Sequence, residues 1–558
     1  MSEIGRVLGS VVGLPLGAIG HAIHGWLTGA RAVVIVDVEP IGTLLGRVRW
    51  LERVRRLGAD PHVEGVVFRI QGSPGNWAAG HDLRQAIAAV RAANTRAYAF
   101  VEAPGNAALW LASACERVFV PPTSEVGLVG LGVEVTFFGA LLERLGVKTD
   151  FESAGVYKSL AEPYTRTFPS AANHDALQTL VQALHGQLIH DVAAGRGLQD
   201  SDVESAMAEA PMPVERAREL SLVDQEAYWD QVRTWVEQEH GDGVVLIEFD
   251  GWARRDFVLA QVETLGRANG TVAVVHLEGN IVLENRGSGD AIAARVLIPL
   301  LRGLTEDDSV AAVVLHVNSP GGSALASDLI WREVDQLRAR KPVVACYEDV
   351  SASGGVYLSA PATEIVARPG TLTGSIGVVG GKLVVGEGMR KLGVHSQPIE
   401  AAPNASVFSA SRPFTPPQRA RFRASLERFY DAFVKRVADG RNRDPADLEP
   451  HCRGRVWTGS DAKERGIVDR IGGLELAVQR AGALAGLAEG TAAMRHLTGS
   501  PQSPMARLAS AAMRRAAPGA GALTGLVEVG ADMRAWMSLL AAHPGEPLVW
   551  MPWQVRLR

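Results

Sequence analysis

Runs of apolar, β-branched residues alternate along this chain with stretches whose apolar positions recur every three to four residues. "RAVVIVDV" (31–38), "VEGVVFRI" (63–70), "TVAVVHLE" (271–278) and "VAAVVLHV" (310–317) read as strands apolar on both faces, and "GSALASDLIWREVDQLRAR" (322–340) reads as an amphipathic helix after a glycine-rich turn. Strands buried on both faces and separated by helices predict an α/β protein with parallel sheets.

The pattern then repeats. "VEGVVFRIQGSPGN" and "VAAVVLHVNSPGG" occupy the same place in two successive series, and so do "EAPGNAALWLASACERVFV" and "EDVSASGGVYLSAPATEIVA". The offset is 246 residues from Ser73 to Ser319 and 247 from Arg144 to Lys391. Two copies of one unit are therefore expected, at 33–245 and 246–486, preceded by an apolar glycine-rich segment (1–32) and followed by an Ala-, Gly- and Arg-rich extension (487–558).

Composition narrows the picture. A chain of 558 residues, 47% hydrophobic and 21% charged, can bury more than one core, and a net charge of −5 without a long basic run argues against a nucleic-acid partner. Cys115, Cys346 and Cys452 are too far apart for a zinc motif and odd in number, so they define no disulfide framework. From Val7 to Ala30 there is no formal charge for 24 residues, long enough for a bilayer helix. Pro15, His21 and His24 dilute that run, and Gly5, Gly9, Gly13 and Gly17 line one helical face. A membrane anchor and a glycine-rich helix packed on protein both fit.

The two copies differ where chemistry would sit. Aligning "TSEVGLVG" with "TGSIGVVG" sets Glu125 opposite Ser375, and Lys158 in "AGVYKSLAEPYTR" falls opposite a position near Ala405. Each copy retains one half of a pair, which predicts a composite site. A serine hydroxyl needs a base to become a nucleophile, and a lysine serves if burial suppresses its charged form. Val156, Tyr157 and Leu160 around Lys158 predict an apolar setting. Only seven residues of the 56 Lys plus Arg are lysine, so one at this place carries information. A glycine-flanked serine also marks a tight turn, and His316 and His395 read as structural. "NSPGG" and "SASGG" offer strand-to-helix turns, with Gly322 and Gly354 as candidate oxyanion donors; glycine pairs also let helix and strand pack closely.

Together "HVNSPGG", "SASGGVYLSAPATEIVA", "TLTGSIGVVG", "GRVWTGSDAKERGIVD" and "YKSLAEPYTR" resemble signal peptide peptidase A in its long, two-copy form, the protease IV family, over about residues 33–486. The resemblance implies two ClpP/crotonase-like domains and serine endopeptidase activity without metal or cofactor. It matches the nucleophile to Ser375 and the general base to Lys158, and implies peptide substrates, cleaved signal peptides among them. It further implies a homo-oligomer, a tetramer being one candidate, at the bacterial membrane, with a soluble form as the alternative. Two other readings are a crotonase-like enzyme acting on acyl-CoA and a catalytically silent membrane scaffold.

Overall fold

The computed structural model describes residues 31–241, 243–254, 256, 270–285, 291–489, 492–499 and 548–550. The apolar run before residue 31 and most of the extension after 499 lie outside the described residues. Among the described residues no helix is long and apolar enough to cross a membrane.

The chain divides into two compact units. The first comprises residues 1–132, 181–269 and 555–558, and the second residues 133–180 and 270–554. In the first, six described strands form a parallel sheet in the order Gln225–Glu226, Arg117–Val120, Arg96–Val101, Val63–Ile70, Arg31–Val38, Val244–Glu248. The strands read from the sequence are present: Val33–Val36 and Val66–Phe68 are buried almost completely, as continuous apolar runs in a parallel sheet require. Helices Leu44–Leu57 and Trp77–Ala92 make the crossovers.

The second unit holds an extensive apolar core. Its main sheet runs Val456–Thr458, Leu372–Gly374, Val343–Ala352, Val310–Ser319, Thr271–Glu278, Ala493–Thr498, parallel except at the first pair. Every residue of Val343–Ala352 is buried. Helix Ala324–Arg338 starts on Ser323, whose Oγ accepts the Ala326 N–H at 3.1 Å, and turns Ile330, Val334 and Leu337 to the core.

A second sheet of this unit runs Ala291–Ala293, Asn280–Val282, Gly321–Ser323, Leu548–Trp550, Val378–Val384, Lys148–Ala154. The last two strands pair antiparallel over seven residues, from Ala154 opposite Val378 to Lys148 opposite Val384. Asp150 and Glu152 are buried on the same strand and are held by Arg419, with Arg423 also on Glu152. Hydrogen bonds and ion pairs thus tie residues 148–154 to the second unit, although they follow the first copy's sequence pattern. The compact units consequently divide the chain differently from the sequence copies, and the lysine-bearing segment lies with the serine-bearing copy.

Candidate active site

The strand Lys148–Ala154 ends in Gly155, and the chain turns back there, the Lys158 N–H donating to the Gly155 carbonyl at 3.0 Å. The Tyr157 N–H donates to the Arg453 carbonyl at 2.8 Å, which fastens the turn to the neighbouring loop. That loop approaches closely: a Cβ on Gly454 would stand 2.5 Å from the Lys158 nitrogen, and Gly454 has φ +83°. Only glycine fits there without displacing the lysine.

Lys158 is 5% exposed, and its Nζ has three oxygen partners: Ser353 Oγ at 2.8 Å, Ser375 Oγ at 2.9 Å and the Ser375 carbonyl at 2.8 Å. Burial alone pushes its ammonium well below the ordinary lysine range. A neutral amine has two N–H groups and one lone pair. The Ser375 carbonyl can only accept, so it takes one N–H, leaving one N–H and the lone pair for the two hydroxyls. In its neutral form the amine can therefore take a proton from one of the two serines.

Leu160, 2% exposed, packs with Val379 and with Phe151, Tyr164 and Leu383 at their partly buried positions. The apolar setting expected around the lysine exists, but Val156, expected to line it, is 67% exposed. Past the turn at Gly155 the chain goes inward, with Lys158, Ser159 and Leu160 buried in succession while Val156 is left outside.

Both serines are buried and both have positive φ, +55° at Ser353 and +51° at Ser375. Ser375 follows Gly374 and donates its N–H to the Arg455 carbonyl at 2.7 Å. Ser353 stands between the strand Val343–Ala352 and the helix Gly354–Ser359 with ψ −109°, a combination that costs energy for any residue with a side chain. Its N–H donates to the Gly374 carbonyl at 2.8 Å, which links the two serine turns directly. A sharp strand-to-helix turn that lifts a serine out of the sheet, with the next residue's N–H beside it, is the arrangement used by nucleophilic serines of α/β-hydrolases.

The sequence reading placed one serine here and the structure brings two. Ser353 was missed as a side chain because "SASGG" was read for its glycines. A signal existed: the 247-residue offset sets Asn106 opposite Ser353. In the first unit Asn106 opens the corresponding helix Asn106–Ala112, its Nδ2 donating to the Gly130 carbonyl at 2.8 Å and its Oδ1 accepting the Gly130 N–H at 3.0 Å. The serine is thus replaced there by an amide occupied in holding a loop. Glu125, opposite Ser375, is exposed in the first unit, and Ala405 is exposed in a turn of the second.

Gly354 directly follows Ser353 and opens the helix; a Cβ there would meet Ser327 Oγ at 2.7 Å and the Gly321 Cα at 3.1 Å. Gly322 lies in the short strand Gly321–Ser323. His316 is buried and bonded to Glu348 at 2.9 Å and to His276 at 3.1 Å, while His395 is exposed. Among the described residues no cluster of His, Cys, Asp or Glu is placed to hold a metal ion.

A family model, peptidase family S49, matches residues 90–242 and 335–488, together more than half of the chain. The chain belongs to peptidase family S49. Among S49-related proteins, "Serine protease SPPA, chloroplastic" of Arabidopsis thaliana is 30% identical over 75% of this chain. This chain spans 63% of that relative's length. "Protease 4" of Salmonella typhi is 30% identical over 78% of this chain and 71% of its own. Of solved structures, ClpP1 from Listeria monocytogenes matches 37% of this chain and 93% of its own at 16% identity and a TM-score of 0.24. Both S49 regions are mixed α/β with parallel sheets, the fold class expected from the sequence.

Proposed function

We propose that this S49 member is a serine endopeptidase in which Lys158 is the general base and Ser353 the nucleophile. The observation that carries the reading is the 2.8 Å contact between Lys158 Nζ and the Oγ of a serine held in a strained strand-to-helix turn. Ser353 Oγ attacks the scissile carbonyl carbon as its proton passes to the neutral Lys158 amine. The C–N bond then breaks, and the lysine returns that proton to the leaving amine. Water then gives a proton to the same amine as its oxygen attacks the acyl carbon, the acyl–Oγ bond breaks, and the lysine returns that proton to Ser353 Oγ. The Gly354 N–H, beside the nucleophile in the chain, is the better supported oxyanion donor, and the Gly322 N–H is the second. Ser375 positions the base, its carbonyl and hydroxyl both lying within hydrogen-bond reach of Nζ.

A second reading keeps Ser375 as the nucleophile, and its 2.9 Å distance from Nζ favours it. Trapping separates the two. A fluorophosphonate adduct on the peptide carrying Ser353 is expected; an adduct on the peptide carrying Ser375 would overturn the assignment.

The substrates on this reading are unfolded apolar peptides, released signal peptides among them. What supports the class is the family and the motifs shared with signal peptide peptidase A. The same reading includes a homo-oligomer at the bacterial membrane. Deleting residues 1–30 is expected to retain peptide hydrolysis and to move the protein from the membrane to the soluble fraction; full-length protein already soluble after lysis would remove the anchor from the proposal.

A further inference from the structure

The strand Leu548–Trp550 lies in the interior of a sheet, between Gly321–Ser323 and Val378–Val384, and runs antiparallel to both. Gly321 is opposite Trp550, Gly322 opposite Val549, and Ser323 opposite Leu548, which also faces Val379. The two flanking strands are those that border the serines. Val378 comes three residues after Ser375, and Gly321 lies against Gly354, the neighbour of Ser353.

Take away the central strand, and two short edges would face each other across a gap one strand wide. Such a gap accepts one extended backbone, recognised through main-chain N–H and C=O groups that every peptide carries. The occupying sequence, "PLVWMP", is an apolar, strand-forming run bounded in sequence by prolines, a residue type with no N–H to donate to a ladder. Its chemistry is that of an unfolded apolar peptide.

We infer that the gap between Gly321–Ser323 and Val378–Val384 is the groove for extended peptides, and that residues 548–550 are its resident occupant, an internal inhibitor that substrate must displace. The inference rests on the peptidase reading for its kinetic meaning. A substrate in the groove runs from the Ser323 side toward Gly321, as residues 548–550 do.

The test is Val549→Pro in the full chain, together with a chain ending at Glu546. Proline removes the N–H of the residue opposite Gly322 while leaving the rest of the protein unchanged. A groove occupied nine-tenths of the time raises the apparent KM about tenfold. Val549→Pro is therefore expected to lower KM for an apolar fluorogenic peptide by about tenfold with kcat within about twofold. The synthetic peptide EPLVWMP should inhibit that variant competitively. Unchanged KM in a Val549→Pro protein with a wild-type circular-dichroism spectrum would overturn the inference, whether or not the shortened chain folds. So would removal of residues 548–558 by the wild-type enzyme and not by Lys158→Ala, since the segment would then be substrate rather than inhibitor. If no variant hydrolyses peptide, the peptidase reading fails by itself. Fluorescence anisotropy of labelled EPLVWMP on the Ser353→Ala, Val549→Pro protein then decides the groove: saturable binding supports it, and no binding ends it.

Discussion

Ala154 and Val378 form the terminal rung of an antiparallel ladder, and the chain leaves that rung on both sides toward the same place: four residues on lies Lys158, three residues back lies Ser375. The lysine and that serine, 217 positions apart in the chain, are brought together by one strand register. A one-residue slip would turn every side chain on the strand to the opposite face and carry the lysine away.

With Lys158 as the proposed base, this group sets the expected pH profile. Because burial lowers its folded pKa, kcat/KM should rise with pH through an apparent pKa well below the usual 10.5 of lysine. Lys158→Arg should be inactive, since guanidinium keeps its proton. A Lys158→Arg enzyme with near-normal turnover would remove the base assignment.

Stability follows the same group with a definite sign. Between the lowered folded pKa and 10.5 the unfolded chain holds the extra proton, so wild-type stability gains up to about 1.4 kcal/mol per pH unit from this residue as pH rises. Below the folded pKa no further loss accrues. Lys158→Met should therefore be more stable than wild type near neutrality, with the difference in denaturation midpoint shrinking toward pH 10.

The serines should differ in degree. Ser353→Ala is expected to lower kcat at least about 10⁴-fold, and the double variant with Lys158→Ala should be no worse, as residues acting together are non-additive. Ser375→Ala retains the carbonyl contact to Nζ and loses one hydroxyl, a change expected to cost about 10- to 100-fold in kcat. Steady-state kinetics on folded variants gives the ranking, and the reverse order would restore Ser375 as nucleophile.

Gly454→Ala should damage activity through the backbone of Lys158, because its Cβ would stand 2.5 Å from the lysine nitrogen. A fall in both kcat and melting temperature is expected. Gly393→Ala is the control: its φ is also positive, +78°, but a Cβ there meets open space, so it should cost about 1 kcal/mol in stability and leave kcat alone.

In the first unit, Asn106→Ser should confer no activity and should destabilise by about 1–3 kcal/mol, since the Gly130 N–H and carbonyl lose their partners. Glu125→Ala, at an exposed position, should leave both activity and melting temperature near wild type. Chemical denaturation reads both.

The sequence alone determined what depends on local pattern. Apolar runs buried on both faces specify parallel strands wherever they occur, so the α/β class, the duplication and the crossover helices were all legible. Lys158 was legible as a candidate, because a lysine present in one copy and absent from the other is visible without coordinates. Tertiary structure decided what depends on register and turn direction. Ser353 and Ser375 are both glycine-flanked in sequence, and the strand-to-helix turn with ψ −109° at Ser353 sets them apart. Val156 points outward although it sits two residues from Lys158. Residues 133–180 lie within the first copy (33–245) in sequence yet join the second unit, where the seven-residue ladder from Lys148 to Ala154 is satisfied. Leu548–Trp550 finds its partners more than 160 residues away. Pairings over such separations are chosen by which backbone edges remain to be satisfied once the cores have formed, and neither hydrophobic periodicity nor composition contains that choice.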